Sequence, residues 1–367
     1  MNPRRAASIG ATATPEKQNA FILATEPVTL TADLAAVTSI LPRTGTAWWE
    51  TVLHKVGLAA IARRSTELRT AWSTFHYSSK FGAVVSLGTL EGLAFAALQR
   101  LRGSKRPVHI MYDCLWYGGN SVKKSWMRFC LKTVDYCVVW ASVERRRFAQ
   151  AYGVDERKFL FVPHHHTLSR YQYEVGDDGY IFTGGNADRD YGLFFDAVRD
   201  TGFPCLLATN RPNLLEGLDV PPNVRLVSVS PAEFRQLMAK AHLVVMPMNA
   251  NLLHAGAQQS MLNAMSMGKP VVLTDPEGGS DYIENGRTGI LVPYGQPQKL
   301  KDAIEALLAN PAEARAIGER ARNTAAAFTT ENCNAMIWKH AIALVDGRKP
   351  ASEVSGMGIS HQTASGS

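Results

Sequence analysis

The sequence predicts an α/β protein made of two Rossmann-like domains, each with a parallel sheet covered by helices. A length of 367 residues fits two domains of common size. The composition, 46% hydrophobic and 19% charged, is that of a globular protein. Short apolar segments without polar alternation recur along the chain, each followed by a helical pattern. This arrangement is typical of strands that are buried on both faces of a parallel sheet.

The pattern is clearest in the second half of the chain. Strands are predicted at 179–183, 203–208, 224–229, 242–247, 270–274 and 289–293. Helices are predicted from Gly192, over 231–241 and 257–267, and as one long Ala-rich stretch to about Phe328. Ligands of such sheets bind beyond the carboxyl ends of the strands. The search for a site therefore begins there.

The first half repeats this rhythm and sets the expected domain boundaries. Strands are predicted at 21–25, 83–87, 108–112, 136–140 and 159–162, with helices at 90–101 and 121–134. The predicted divisions are a tail over 1–18, a first domain over 19–165, a linker over 166–178, a second domain over 179–329 and a tail over 350–367. A last helix, 330–346, is expected to return to the first domain. His109, inside a strand, is expected in the core.

Charge is distributed unevenly over a net value of +7. Residues 1–175 contain 23 Lys and Arg against 12 Asp and Glu, whereas the remainder is mildly acidic. We expect the first domain to face something anionic. Five cysteines without paired spacing predict reduced core thiols in a cytoplasmic protein, and neither a signal peptide nor a spanning segment is recognisable.

Two segments of the second half have the features of a phosphate site. Gly184 and Gly185 end the first strand there, and Arg189 follows, so backbone amides and a cation could meet an anion. Asp188 and Asp190 have the spacing of a metal-binding Asp-x-Asp motif. The arginine between them and the lack of a matching acidic cluster argue against a metal site. A second group opens a helix at the carboxyl edge and combines small residues with hydrogen-bonding side chains: Gly256, Ala257, Gln258, Gln259, Ser260 and Asn263.

The runs GAQQSMLNAMSMGKPVVLTD (256–275) and EGGSDYIENGRTGILVP (277–293) closely resemble the C-terminal domain of the retaining glycosyltransferases of family 4, which have the GT-B fold. The resemblance covers roughly residues 176–330. It implies two Rossmann-like domains facing across a cleft and a nucleotide-sugar substrate, with neither a metal nor a further cofactor. Gly184, Gly185, Arg189 and the helix from Gly256 would then line the donor diphosphate. Asn210, Arg211, Ser228 and Ser230 would lie near the nucleotide.

The chain departs from the family where two glutamates normally stand. Those positions are Ala255 and Asn263 here, so Asn263 is expected to bind a ribose hydroxyl more weakly, and His254 or Gln258 could substitute for the other glutamate. By the resemblance, Arg189 and the helix amides stabilise the departing diphosphate. Lys269 is a weaker candidate, because the lysine of this turn is expected to face solvent.

The acceptor is expected at the basic first domain. Asp113, at the end of a strand, could orient an acceptor hydroxyl, or simply cap a loop. The segment with Trp48, Trp49, Arg63 and Arg64 favours an anionic membrane surface over a buried amphipathic helix. The expected acceptor is thus lipid-linked or a saccharide, in cell-surface polysaccharide or glycolipid assembly, with the protein cytoplasmic or peripheral on the inner face of the membrane.

Other readings of the sequence stay open. A catalytically silent nucleotide-sugar-binding protein fits the missing glutamates, and a nucleotide-sugar epimerase shares the fold. A dehydrogenase is disfavoured because no G-x-G-x-x-G follows the first strand, and the basic residues do not form a recognised nucleic-acid module. The run His164, His165 and His166 is interpreted as a polar hinge and not as a metal site.

Overall fold

The computed structural model describes residues 22–41, 47, 51, 59–112, 121–250, 252–254 and 256–347. The Trp48/Trp49 segment, the side chain of Arg63, Asp113 and Ala255 lie outside the described residues. Two six-stranded parallel sheets are present, in the orders β2-β1-β3-β4-β5-β6 and β12-β11-β10-β7-β8-β9. The α/β fold with two parallel sheets is therefore confirmed.

The first sheet and its helices come from the first half of the chain. Its strands are β1 Ile22–Ala24, β2 Thr38–Ile40, β3 Ala83–Ser86, β4 Val108–Met111, β5 Tyr136–Val139 and β6 Phe159–Phe161. The helices are α1 Ala32–Ala36, α2 Ala59–Tyr77, α3 Thr89–Gln99, α4 Ser121–Leu131 and α5 Ser142–Tyr152. A 3₁₀ segment, Arg100–Lys105, follows α3. The central strands are buried because β1 and β3 carry only apolar or small side chains.

The second sheet has the strand order of a doubly wound fold. Its strands are β7 Ile181–Gly184, β8 Cys205–Ala208, β9 Val224–Val227, β10 Leu243–Met246, β11 Val271–Leu273 and β12 Ile290–Leu291. The helices are α6 Tyr191–Val198, α7 Pro231–Lys240, α8 Gln258–Ser266, α9 Pro276–Gly279, α10 Pro297–Ala309, α11 Pro311–Ala325 and α12 Thr330–Val345. The order reverses between β7 and β10, which pair directly. Such a switch point is where ligands bind in this class of sheet.

Contacts divide the chain into two compact units. One takes the described parts of Met1–Cys114, Ser125–Cys137 and Ile337–Pro350, and the other takes those of Leu115–Lys124, Val138–Met336 and Ala351–Ser367. In the first unit Trp338 Nε1 donates to Thr38 Oγ1 at 2.9 Å, so α12 packs there in its second half. The domain boundaries expected from the sequence stay predictions.

Three expectations about local structure are settled by the described residues. The Ala-rich stretch after β12 is not one helix but two, because Pro311 starts α11 and Asn310 Oδ1 accepts from Glu313 N at 3.2 Å. His109 is buried, as predicted, and Cys130, Cys137, Cys205 and Cys333 are buried free thiols. No helix within the described ranges is long and apolar enough to cross a membrane.

Candidate functional site

The turn after β7 lies at the switch point of the second sheet. A Cβ on Gly184 would stand 2.7 Å from both the Ala208 carbonyl oxygen and the ring of Phe234, so only glycine fits. Gly185 has a φ of +133° and donates its amide to Ala208 O at 3.1 Å. The two glycines therefore let the chain turn sharply against the end of β8.

Arg189 is folded back under this turn. Its Nε donates to Gly184 O and its Nη1 to Ala187 O, both at 3.1 Å. The residue is buried, and its backbone pairs with Met248 beyond β10. Burial lowers the pKa of Arg189 from its ordinary value, but a guanidinium stays charged in proteins. The structure thus places a fixed positive charge directly beneath the glycine turn, at the switch point.

Polar side chains connect the ends of β7, β8 and β9. Asn186 Oδ1 accepts from Thr209 Oγ1 and from Asn210 N, both at 2.9 Å. Asn210 Oδ1 in turn accepts from Ser228 Oγ at 2.8 Å and from Val229 N at 3.1 Å. The structure therefore brings Asn210 and Ser228 together, and adds Asn186. Sequence reasoning missed Asn186, although it follows the glycine turn directly.

Two other predicted residues near this row are placed differently. Ser230 is the N-cap of α7. Its Oγ accepts from Glu233 N at 3.3 Å, and Glu233 Oε2 accepts from Ser230 N at 2.8 Å. This capping role explains the serine without a ligand. Arg211 is exposed, and its amide donates to Thr209 Oγ1 at 3.2 Å. Its guanidinium makes no hydrogen bond or ion pair with any residue the structure describes.

The start of α8 meets the loop after β7. A Cβ on Gly256 would lie 2.7 Å from Met248 Cε and 3.8 Å from Asp188 Oδ2. Ala257 and Asp188 both have left-handed backbone conformations, with φ of 73° and 58°. Such conformations are costly for residues with a Cβ, and they cluster at functional sites. The two loops that carry the predicted phosphate ligands therefore lie side by side.

The first turn of α8 is open to a ligand. No side chain caps it at Ala257. Gln258 is only 5% exposed, yet its amide makes no hydrogen bond to the described part of the chain. Gln259 is exposed and Ser260 is half-buried. Uncapped helix amides carry a partial positive charge, so this end of α8 is suited to an anion.

Asn263 lies further along α8 and is engaged in the protein. Its Oδ1 accepts from Thr167 N at 2.9 Å, and its Nδ2 donates to Thr167 Oγ1 at 3.2 Å. The side chain therefore holds the segment after the three histidines against α8. Its predicted role toward a ribose stays a prediction, and both of its amide groups already have protein partners.

Lys269 is not solvent-facing, so that expectation is wrong. Its Nζ donates to Ala241 O at 2.8 Å and to Gly176 O. These carbonyls precede β10 and β7, at the amino edge of the sheet, opposite the edge that carries the glycine turn. Burial lowers the pKa of Lys269. Lys269 thus joins the segments that precede β7 and β10. It lies at the edge of the sheet opposite the predicted diphosphate site and cannot reach it.

The buried Glu144 pairs with the half-buried His254, and sequence reasoning identified only the histidine of this pair. His254 Nδ1 lies 2.5 Å from Glu144 Oε1, and the Glu144 side chain is fully buried. Glu144 Oε2 accepts from Trp140 N at 2.8 Å and from Ala141 N at 3.1 Å, at the start of α5. A glutamate in the first turn of a helix normally bonds such amides. Its second oxygen here fixes an imidazole four residues before α8.

The histidine run is half-buried in polar and aromatic surroundings. The ring of His164 lies 4.9 Å from that of Trp140 and 5.0 Å from that of His165. Burial lowers the pKa of His164 to about 4. Over the described ranges, no three His, Cys, Asp or Glu side chains are grouped as a metal site would require.

Comparison with known proteins agrees with this geometry. Residues 197–310 match the sequence model of the family described as "Glycosyl transferases group 1". An uncharacterised glycosyltransferase of Methanocaldococcus jannaschii is 33% identical over 87 residues, which are 24% of this chain and 20% of that protein. The match thus spans about a fifth of the length of that curated relative.

Solved structures resemble the chain over most of its length. Anabaena HepE in complex with UDP is 14% identical, with a TM-score of 0.61 over 87% of this chain and 98% of HepE. It is also known in complex with UDP-glucose. The lipopolysaccharide outer core galactosyltransferase WaaB, in its apo form, is 12% identical, with a TM-score of 0.56 over 88% of this chain and 98% of WaaB.

The class of protein follows from the sheets and these likenesses: the fold is that of the GT-B glycosyltransferases. Within it, residues 197–310 are similar to the family described as "Glycosyl transferases group 1". The matched residues include Asn210 and Ser228, at the ends of β8 and β9, and the whole of α8, whereas the glycine turn, Asn186 and Arg189 precede them.

Proposed function

We propose that the protein is a glycosyltransferase that moves a sugar from a nucleoside-diphosphate donor, with UDP as the nucleotide. The observation that carries this proposal is the open start of α8 beside the glycine turn and Arg189. A diphosphate needs backbone amides and fixed positive charge, and this edge of the sheet supplies both. The complexes of HepE with UDP and UDP-glucose support the choice of nucleotide.

The proposed reaction proceeds with retention of configuration at the anomeric carbon and needs neither a metal nor a further cofactor. As the bond between the sugar and the diphosphate breaks, negative charge grows on the leaving phosphate. The amides of Gln258, Gln259 and Ser260 and the buried charge of Arg189 would stabilise it. Asn210 and Ser228 would border the nucleotide, and Asp113 is the proposed partner of the acceptor hydroxyl.

The acceptor is proposed to be a saccharide or a lipid-linked glycan in cell-surface polysaccharide or glycolipid assembly. The protein would act at the cytoplasmic face of a membrane. The basic first half of the chain favours such a surface. WaaB, a galactosyltransferase of the lipopolysaccharide outer core, has the same fold and supports this acceptor class.

A screen of thermal unfolding against UDP-, GDP-, ADP- and TDP-sugars tests the donor. A ligand at about 100 times its dissociation constant should add about 2.7 kcal/mol of stability. We expect a UDP-sugar to raise the unfolding temperature and Gln258→Ala to reduce that rise. Gln298→Ala, on the exposed first turn of α10, is the matched control and should keep it. Equal shifts with every base, or none, would contradict the proposal.

A catalytically silent nucleotide-sugar-binding protein is the second candidate. It is favoured by the bonds between Asn263 and Thr167, which occupy the side chain at one family glutamate position. Such a protein would show the thermal shift but release no free UDP, with or without an added saccharide acceptor. Release of UDP that follows the acceptor concentration identifies the enzyme.

A further inference from the structure

Helix α4 carries two apolar stripes, and only one of them is buried. Met127, Cys130 and Leu131 pack into the protein. On another face, Trp126 and Phe129 stack with ring centroids 5.6 Å apart, and they remain 38% and 40% exposed. A helix on the surface of a globular protein normally presents polar side chains outward. The outer stripe of α4 therefore requires an explanation other than core packing.

The 3₁₀ segment Arg100–Lys105 extends this apolar surface. The guanidinium carbon of Arg100 lies 4.4 Å from the centroid of the Phe129 ring. That of Arg102 lies 4.2 Å from the Phe75 ring on α2. Between the two arginines, Leu101 is 77% exposed. We call Trp126, Phe129, Leu101 and the cations around them the aromatic–basic face.

Trp72 continues the same surface on α2. Its ring lies 6.2 Å from that of Phe75, and it is 55% exposed. Phe75 and Arg102 link it to the 3₁₀ segment, and Arg100 links that segment to Phe129 on α4, so exposed large apolar side chains of three elements are connected by ring and cation contacts. Contiguous exposed apolar surface of this kind marks an interaction site.

The charge of these segments is strongly positive. Residues 92–112 and 121–134 contain eight Lys and Arg and no Asp or Glu, and one of the eight, Arg106, is paired with Asp135. Arg100 and Arg102 lie over aromatic rings, so each cation and its ring can enter a membrane surface to a similar depth. Aromatic rings, a leucine and an excess of cations match the boundary between lipid headgroups and acyl chains.

We infer that the aromatic–basic face docks the protein onto an anionic lipid bilayer. The cations meet lipid phosphates, while Trp126, Phe129 and Leu101 enter the headgroup region. An RNA or DNA strand would use the aromatic rings for base stacking and the cations for phosphate contacts, but it would not explain an exposed leucine. The inference deepens the proposed function, since it would bring the enzyme to an acceptor in a membrane, but the binding itself needs no donor and no turnover.

Flotation of the full chain with vesicles tests the inference. We expect binding to vesicles of phosphatidylcholine mixed with phosphatidylglycerol and little binding to phosphatidylcholine alone. Trp126→Ser with Phe129→Ser should abolish flotation. Leu226→Ser, an apolar side chain 42% exposed on β9, is the matched control and should not change it.

Charge is tested separately with Lys105→Ser and Lys132→Ser together, both exposed. They should weaken binding about tenfold or more, and added salt should weaken it further. Lys299→Ser on α10 serves as the charge control. Each variant is first shown to keep the far-ultraviolet circular dichroism and the thermal shift with UDP of the wild type, so that misfolding and a failed donor site are separated from lost docking.

Three results would overturn the inference. The wild type floats with neither vesicle, or it floats equally with both, or Trp126→Ser with Phe129→Ser floats as well as the wild type. A protein partner would be indicated instead if the wild type self-associates on gel filtration without flotation and the double variant is monomeric. If the wild type shows no thermal shift with UDP but still floats with anionic vesicles, the proposed donor is wrong and the inferred membrane docking is supported.

Discussion

The carboxylate of Glu144 is buried and shared among three groups: the amides of Trp140 and Ala141 and the imidazole of His254. Each bond to a charged, desolvated carboxylate is worth more than an exposed ion pair. The pair therefore couples the start of α5 to the loop before α8, inside one compact unit.

Glu144→Ala should lower the free energy of unfolding by about 2–3 kcal/mol, because two backbone amides lose a buried partner. Urea denaturation measures the change. Glu156→Ala, a half-exposed side chain in a surface turn, is the control and should stay within about 0.5 kcal/mol of the wild type. A Glu144→Ala protein as stable as the control would show that the carboxylate does not hold these elements together.

Gly184 gives a second prediction for a single residue. Gly184→Ala places a methyl group 2.7 Å from a backbone oxygen and from the Phe234 ring, so the turn must shift. We expect a loss of about 1–3 kcal/mol of stability and a smaller thermal shift with UDP. Gly192→Ala, on α6, meets no atom nearer than 3.5 Å and should be neutral or slightly stabilising.

At the scale of the elements, the junction of α10 and α11 depends on two residues. Pro311 fits the first turn of α11, and Asn310 caps it. Asn310→Ala should cost about 1 kcal/mol of unfolding free energy, and Asn310→Ser should recover most of it, because serine can also accept from the helix amides. Equal losses in both variants would show that the cap bond contributes nothing.

This junction also shows what the sequence can and cannot predict. The helix at 330–345 was predicted almost to the residue because its apolar period is undisturbed. The break at Asn310 was missed, since the Ala-rich pattern continues across it. Strand β2 was missed because its side chains are largely exposed and carry no apolar run. The ends of helices and strands depend on local side chains, and the sequence predicts them only where one pattern, such as an apolar period, is undisturbed.

The site was predicted unevenly for a related reason. The glycine turn and the start of α8 were found because backbone conformation and helix ends are local properties. Glu144 and the burial of Lys269 were not found, since both depend on partners far away along the chain. For Lys269, the contacts with carbonyls at the amino edge of the sheet could only be seen once the strands were aligned.

At the scale of the whole molecule, each compact unit holds a histidine that folding keeps neutral. Burial lowers the pKa of His109 to about 3 in the first unit and that of His164 to about 4 in the second. His109 lies between Ser86, whose Oγ is 2.9 Å from its Nε2, and the Phe95 ring. His164 lies among Trp140, His165 and His254.

Acid should therefore destabilise both units. The unfolded chain binds protons at an ordinary histidine pKa of about 6.5, whereas the folded chain does not until pH 4 or lower. Stability is thus complete above about pH 6.5 and falls as the pH drops, by about 2 kcal/mol for each histidine at pH 5. Unfolding temperatures at pH 7 and pH 5 measure the loss. His164→Gln should reduce it, while His76→Gln, on the exposed end of α2, should leave it unchanged. An acid loss that is equal in all three proteins would mean that other groups, and not the His164 imidazole, take up the protons that bind when the chain unfolds.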